Sequence, residues 1–153
     1  MRPLAVAVLL ALAAPPLPAA DKDEDKAKEV AVAFLKTVKD KDLDALMKLT
    51  TAPFVYRDGE KPKLHKEAAD VKAWFKEKLD GLKDPGKVPT EIDKLVPFSE
   101  LREKIPDEDD RKLIDEAVGK DGFVAFLTAD GKKVVVLIRI KDGKAKVAGL
   151  GQH

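Results

Sequence analysis

Apolar and polar positions alternate along this chain with periods that change several times, and each change marks an element. The start, Met1-Arg2-Pro3, is followed by an uncharged apolar run from Leu4 to Ala14, broken by Pro15, Pro16 and Pro18. This is the anatomy of an export signal, and the run is shorter than the ~20 residues that a permanent span needs. Small residues Ala19 and Ala20 precede the charged stretch Asp21 to Lys26, so cleavage is expected after one of them; an uncleaved N-terminal anchor is the alternative. From Ala27 to Val38 the apolar residues Ala27, Val30, Ala31, Phe34, Leu35 and Val38 recur at helical steps, which predicts an amphipathic helix. Asp42 can cap a short second helix carrying Leu43, Leu46 and Met47. Pro53 to Tyr56 reads as a strand, Asp58-Gly59 as a two-residue hairpin turn, and Lys61 to His65 as a return strand that Pro62 confines to an edge.

The pattern then returns to helix over Lys66 to Leu79, with Ala68, Val71, Trp74, Phe75 and Leu79 on one face and Gly81 at the stop. Leu82 to Pro89 is loop, and Thr90 to Phe98 reads as a weak strand limited by Pro97. Ser99 and Asp107 are candidate caps for further helix, the second backed by Glu108, Asp109 and Asp110 in the first turn and Gly119 at the end. Three strands close the chain, Phe123–Leu127, Val134–Ile140 and Ala145–Leu150, joined through Asp130-Gly131 and Asp142-Gly143. The middle one is apolar at nearly every position, which predicts cover on both of its faces.

Composition narrows what this α+β pattern can serve. Without the leader about 133 of the 153 residues remain, enough for one domain. Removing Arg2 leaves 28 basic against 28 acidic residues, interspersed as in Lys39-Asp40-Lys41-Asp42, so no basic patch calls for nucleic acid. The chain has no cysteine, which removes disulfides, thiolate metal sites, thiol catalysis and a lipidated cysteine anchor. It has no asparagine, so N-glycosylation is excluded. The address expected from the leader is periplasmic or extracellular, with no stable membrane anchor after cleavage.

Candidate chemistry is sparse. His65 and His153 are far apart and unsupported by other ligands, so no metal is expected. The acids Asp107 to Asp110 lack the spacing of a calcium loop. There is no glycine-rich phosphate loop and no nucleophile elbow, and no cofactor is called for.

Two leading helices, a hairpin, a third helix and a closing run of antiparallel strands resemble the nuclear transport factor 2-like superfamily. Val32 to Leu46, with its charged break before Asp42-Leu43-Asp44-Ala45-Leu46, is similar to that family's opening, and Val135 to Leu150, ending Val147-Ala148-Gly149-Leu150, looks like its last two strands. Ser99 to Gly119 departs from the family by being longer and more helical. The resemblance implies a bent, mainly antiparallel sheet wrapped around the N-terminal helices as a cone with a pocket inside, to which this chain's own residues add an extra helical segment before the C-terminal meander. Its members include ketosteroid isomerase, polyketide cyclases and limonene epoxide hydrolase beside many non-catalytic binding modules, so fold alone does not choose among them.

If the cone holds, Tyr56, His65 and Trp74 are the pocket candidates, because the hairpin and third helix would contribute to the wall. A Tyr hydroxyl can stabilise an enolate and a His can move protons, whereas as packing residues they would be core or interface aromatics and a solvated edge imidazole. Arg139, the one charge inside the apolar middle strand, either forms an internal pair with Asp93 or Glu91 or faces solvent. The first reading is an exported non-enzymatic domain that binds a small apolar ligand or a protein partner on its open sheet. The alternative is a lyase or isomerase of the ketosteroid isomerase or polyketide cyclase type, and a third reading is a homodimer through the sheet face.

Overall fold

The computed structural model describes residues 19–152. The leader read over residues 1–20 lies outside them except for its last two residues, which already open the first helix. That helix, α1, spans Ala19–Asp40. It therefore begins well before Ala27, and residues 21–26, expected as a charged linker, are helical. They carry no apolar stripe to announce a helix, but Asp23 and Glu24 place negative charge in the first turns, at the positive end of the helix dipole, and the Lys26 ammonium donates to the Gly143 carbonyl at 2.7 Å. No helix among the described residues is long and apolar enough to cross a membrane.

Helix α2, Leu43–Leu49, starts at the cap Asp42, whose carboxylate accepts from the Ala45 N–H at 3.0 Å. Strand β1, Thr50–Arg57, and strand β2, Pro62–His65, then pair antiparallel. Arg57 pairs with Pro62, so the turn is the four residues Asp58 to Lys61 rather than the two-residue turn that Asp58-Gly59 predicts. The Arg57 guanidinium explains the longer form, donating to the carbonyls of Gly59 at 3.2 Å and Glu60 at 2.8 Å. Helix α3 covers Ala68–Asp80, and one 3₁₀ turn at Pro85–Lys87 punctuates the loop that follows. Strand β3 is Lys94–Pro97, helix α4 is Phe98–Arg102 and helix α5 is Glu108–Val118. The chain closes with β4 Phe123–Ala129, β5 Lys132–Lys141 and β6 Lys144–Gln152. Both connecting turns are tight pairs with positive φ, 51° and 75° at Asp130-Gly131, 52° and 70° at Asp142-Gly143.

Among the described residues the strands form one sheet in the order β2-β1-β6-β5-β4-β3, with β2 and β3 outermost. Its pairings are antiparallel except that β1 and β6 run parallel. Leu137 pairs with Gly149 and Ile138 with Val147, so Ala148 is an unmatched extra residue that bulges β6. Two hydrophobic clusters lie on the two faces. Val136 and Ile138 of β5 belong to the cluster built on Ala27, Ala31, Phe34 and Leu46, while the intervening Val135 and Leu137 pack with Val55, Ala117, Val118 and Ala148. The unbroken apolar run of β5 is thus explained by cover on each side. On the face opposite α1, helix α5 packs against β1, β2, β5 and β6.

The α4–α5 segment is held by polar contacts at its ends. Arg102 donates to both carboxylate oxygens of Asp115 at 2.7 to 3.0 Å, and Arg111 to the Ile105 carbonyl at 2.7 Å. Asp107 caps α5 by accepting from the N–H groups of Asp109 at 2.9 Å and Asp110 at 3.2 Å. These backbone donors, that of Asp110 first, hold its carboxyl below the usual carboxylate range, with a smaller contribution from Lys61. A group lowered in the folded state stabilises fully above its ordinary value and loses that contribution as the pH falls below it. Asp107→Ala is therefore expected to lower the urea midpoint near neutral pH, with the gap to the parent narrowing as the pH falls below the usual carboxylate range; a gap that stays constant on acidification would sink the charged cap's role.

Candidate functional site

Between α1 and the sheet lies a cleft of about 460 Å³. The apolar stripe that made α1 predictable supplies one wall through Phe34, Leu35 and Val38, and Leu127, Ala129, Val134, Val136 and Leu150 supply the facing wall from β4, β5 and β6. Residues of the loop after α3, Leu82, Lys83, Asp84, Lys87, Val88 and Pro89, form its mouth. A smaller recess of about 250 Å³ shares Val38, Leu82, Val134 and Leu150 with the cleft and extends it to Trp74, Phe75, Lys78 and Leu79 of α3. Their sizes fall at or just below the ~300–1,000 Å³ range of small-molecule sites. A third depression of about 700 Å³ lies on the other side of the sheet, between Val55, Val135 and Leu137 and the Lys104 to Ile114 segment.

Every ionisable group near the cleft sits at its mouth. Lys87 approaches Asp130 at 3.5 Å, and Asp84 accepts from the Gly86 N–H at 3.1 Å. At the recess, Lys78 donates to Asp58 at 2.9 Å. That hydrogen bond, and then the Lys78 charge, hold the Asp58 carboxyl below its ordinary range, and the same bond raises the Lys78 ammonium. Asp58 is accordingly a fixed, exposed anion rather than a base poised near neutrality. Away from both, Thr50 is the one polar residue buried as a whole among the described residues, and its hydroxyl donates to the Met47 carbonyl at 3.3 Å. No group of three or more His, Asp or Glu side chains among the described residues is placed to hold a metal ion.

Three of the four sequence candidates come together. The Tyr56 ring stacks on His65 with centroids 4.7 Å apart and planes at 16°, and lies 4.8 Å from Trp74 on its other flank. Trp74 in turn meets Phe54 at 5.7 Å and Phe75 at 4.9 Å, with the Lys78 ammonium 5.7 Å from its ring centre. Nε2 of His65 is buried with no hydrogen-bond partner. Strand, edge strand and helix thus place an aromatic stack beside the core. Trp74 faces the recess, while His65 lines neither the recess nor the cleft. Arg139 lies apart from the other three, and its guanidinium donates to the Glu116 carbonyl at 3.4 Å, not to Asp93 or Glu91. Asp93 instead accepts from the Thr128 hydroxyl at 2.9 Å. The residues that sequence reasoning missed are the mouth, Leu82 to Pro89, and the wall residues Ala129 and Leu150. The one signal for the mouth was apolar Leu82 and Val88 inside a stretch otherwise built of loop formers.

No protein-family model and no curated protein sequence matches the chain. Solved structures do. A nuclear transport factor 2-like protein of unknown function from Pseudomonas putida superposes with a TM-score of 0.50 at 10% identity, covering 86% of each chain. A second such protein, from Shewanella oneidensis, gives 0.47 at 10% identity over 84% of this chain and 96% of its own. A third, with a cystatin-like fold, from Novosphingobium aromaticivorans, gives 0.47 at 12% identity over 86% and 80%. With leading helices, a mixed sheet closed by an antiparallel meander, and a cleft between the two, the chain has the nuclear transport factor 2-like fold.

Proposed function

We propose that this chain is an exported, non-catalytic binding domain that takes a small apolar ligand into the cleft between α1 and strands β4 to β6. The observation that carries the reading is the division of the cleft into an apolar interior, Phe34, Leu35, Leu127 and Val136, and a mouth that holds all its charges. A site of the ketosteroid isomerase kind needs a carboxylate base facing a second polar group inside the cone. Here the nearest carboxylates, Asp58, Asp84 and Asp130, are exposed and already engaged by Lys78, the Gly86 N–H and Lys87. Cover of the second sheet face by α5 likewise favours a ligand in the cleft over a partner chain on an open sheet.

Ala129, half-buried at the end of β4 and packed against the core cluster, lines the cleft, so a larger side chain there narrows the space between α1 and the sheet. Nile red, a neutral apolar dye that brightens when desolvated, is expected to bind the parent chain and to bind Ala129→Phe about tenfold more weakly, a difference of about 1.4 kcal/mol. The far-ultraviolet circular dichroism should be unchanged. Equal dye affinity in the two chains would place the dye elsewhere and overturn the reading.

A further inference from the structure

Lys83, at the mouth of the cleft, makes no ion pair and no side-chain hydrogen bond among the described residues, unlike the charges around it. Asp84 is turned to the backbone of the 3₁₀ turn. The neighbouring Lys87–Asp130 pair is long, and its side chains are 59% and 66% exposed, so it can be opened at little expense. A free ammonium, a second one weakly held, and an apolar interior directly beneath select a molecule with two unlike ends.

We infer that the ligand of this cleft is amphipathic with one anionic head, of the class of long-chain monocarboxylates. Its apolar chain lies between Phe34 and Leu35 on one side and Val136 on the other, and its carboxylate sits between Lys83 and Lys87. This rests on the binding reading above and adds to it the chemistry of the head group. Lys87 exchanges one carboxylate, that of Asp130, for another, Asp130 with its side chain 66% exposed is left to water, and Lys83 gains a partner, so binding buries no unpaired charge. The recess beside Trp74 and Leu79 continues the cavity past the shared residues Val38 and Leu150, which gives an unbranched chain room to extend.

The test displaces Nile red with dodecanoate and with dodecyltrimethylammonium, two molecules with the same chain and opposite heads, each kept below the concentration at which it forms micelles. The parent chain is expected to take dodecanoate at least about fivefold more tightly than the cation. The double variant Lys83→Glu, Lys87→Glu, altered only at exposed positions, is expected to lose or reverse that preference, and Ala129→Phe to bind both molecules weakly. Salt at about 1 M, where the screening length falls to about 3 Å, should narrow the gap in the parent chain. Equal affinities, a preference for the cation, or a preference for dodecanoate that survives in the double variant would overturn the head-group inference and leave the apolar-ligand reading intact. Failure of Nile red and both chain molecules to bind would overturn the two together.

Discussion

Phe54→Ala is expected to lower the unfolding free energy by about 3–5 kcal/mol and the melting temperature by roughly 10–20 °C. Phe54 is fully buried, and its ring meets Phe75 at 5.1 Å and Trp74 at 5.7 Å. Phe75 carries the contact on to Phe34 of α1 at 5.9 Å, so the ring is the junction of β1, α3 and, at one remove, α1. Removing it takes away both the transfer energy of the ring and the packing of its neighbours. Because α3 can settle only partly toward β1, most of the cavity persists. A urea titration measures the loss, and a decrease under about 1 kcal/mol would show that the ring does not hold these elements together.

Gly122→Ala is the second change with a large expected effect, about 3 kcal/mol, the upper part of the overpacking range. Gly122 lies between the end of α5 and β4, and its carbonyl accepts from the Phe98 N–H at 2.8 Å. A methyl group there would run into the Val118 side chain, and would stand 2.7 Å from the Ile138 carbonyl oxygen and 3.0 Å from that of Val118. The side chain can turn away, but the carbonyls belong to β5 and to the last turn of α5 and move only with them. Gly131→Ala provides the contrast: nothing lies within 4 Å of the added atom, and the strain is confined to a φ of 75°, about 1–2 kcal/mol. Thermal melts of both variants should rank Gly122→Ala as the more damaging; the reverse order would mean that α5 yields to the methyl group.

Local signals made much of this fold legible before any coordinates. The caps Asp42 and Asp107, the Asp-Gly turns at 130 and 142, and the apolar continuity of β5 each encode a nearby geometry with one physical cause, and each is found where the sequence puts it. What escaped has no local cause. The parallel pairing of β1 with β6 joins Tyr56 to Leu150 across almost the whole domain, and nothing in either strand announces the other. The early start of α1 rests on acids that suit a helix N-terminus but follow no apolar period, and the four-residue β1–β2 turn rests on an arginine reaching forward to two carbonyls. At the site, rarity drew attention to Tyr56, His65, Trp74 and Arg139. The cleft is instead lined by common residues, Leu, Val, Ala and Lys, whose role depends on which of them a loop leaves uncovered.

The two outermost strands bear on how the protein behaves when concentrated. An exposed strand edge offers unpaired backbone groups to any other chain with a free edge. Here β2 and β3 are four residues each, and each carries a proline and a lysine, Pro62 with Lys63 and Lys94 with Pro97. Proline withholds a donor from an incoming strand and lysine keeps that strand's approach hydrated and charged. The long, apolar β5, which would be the most adhesive segment if displayed, is placed third from one border and fourth from the other. Strand order thus gives a disulfide-free chain protection against self-association into fibrils.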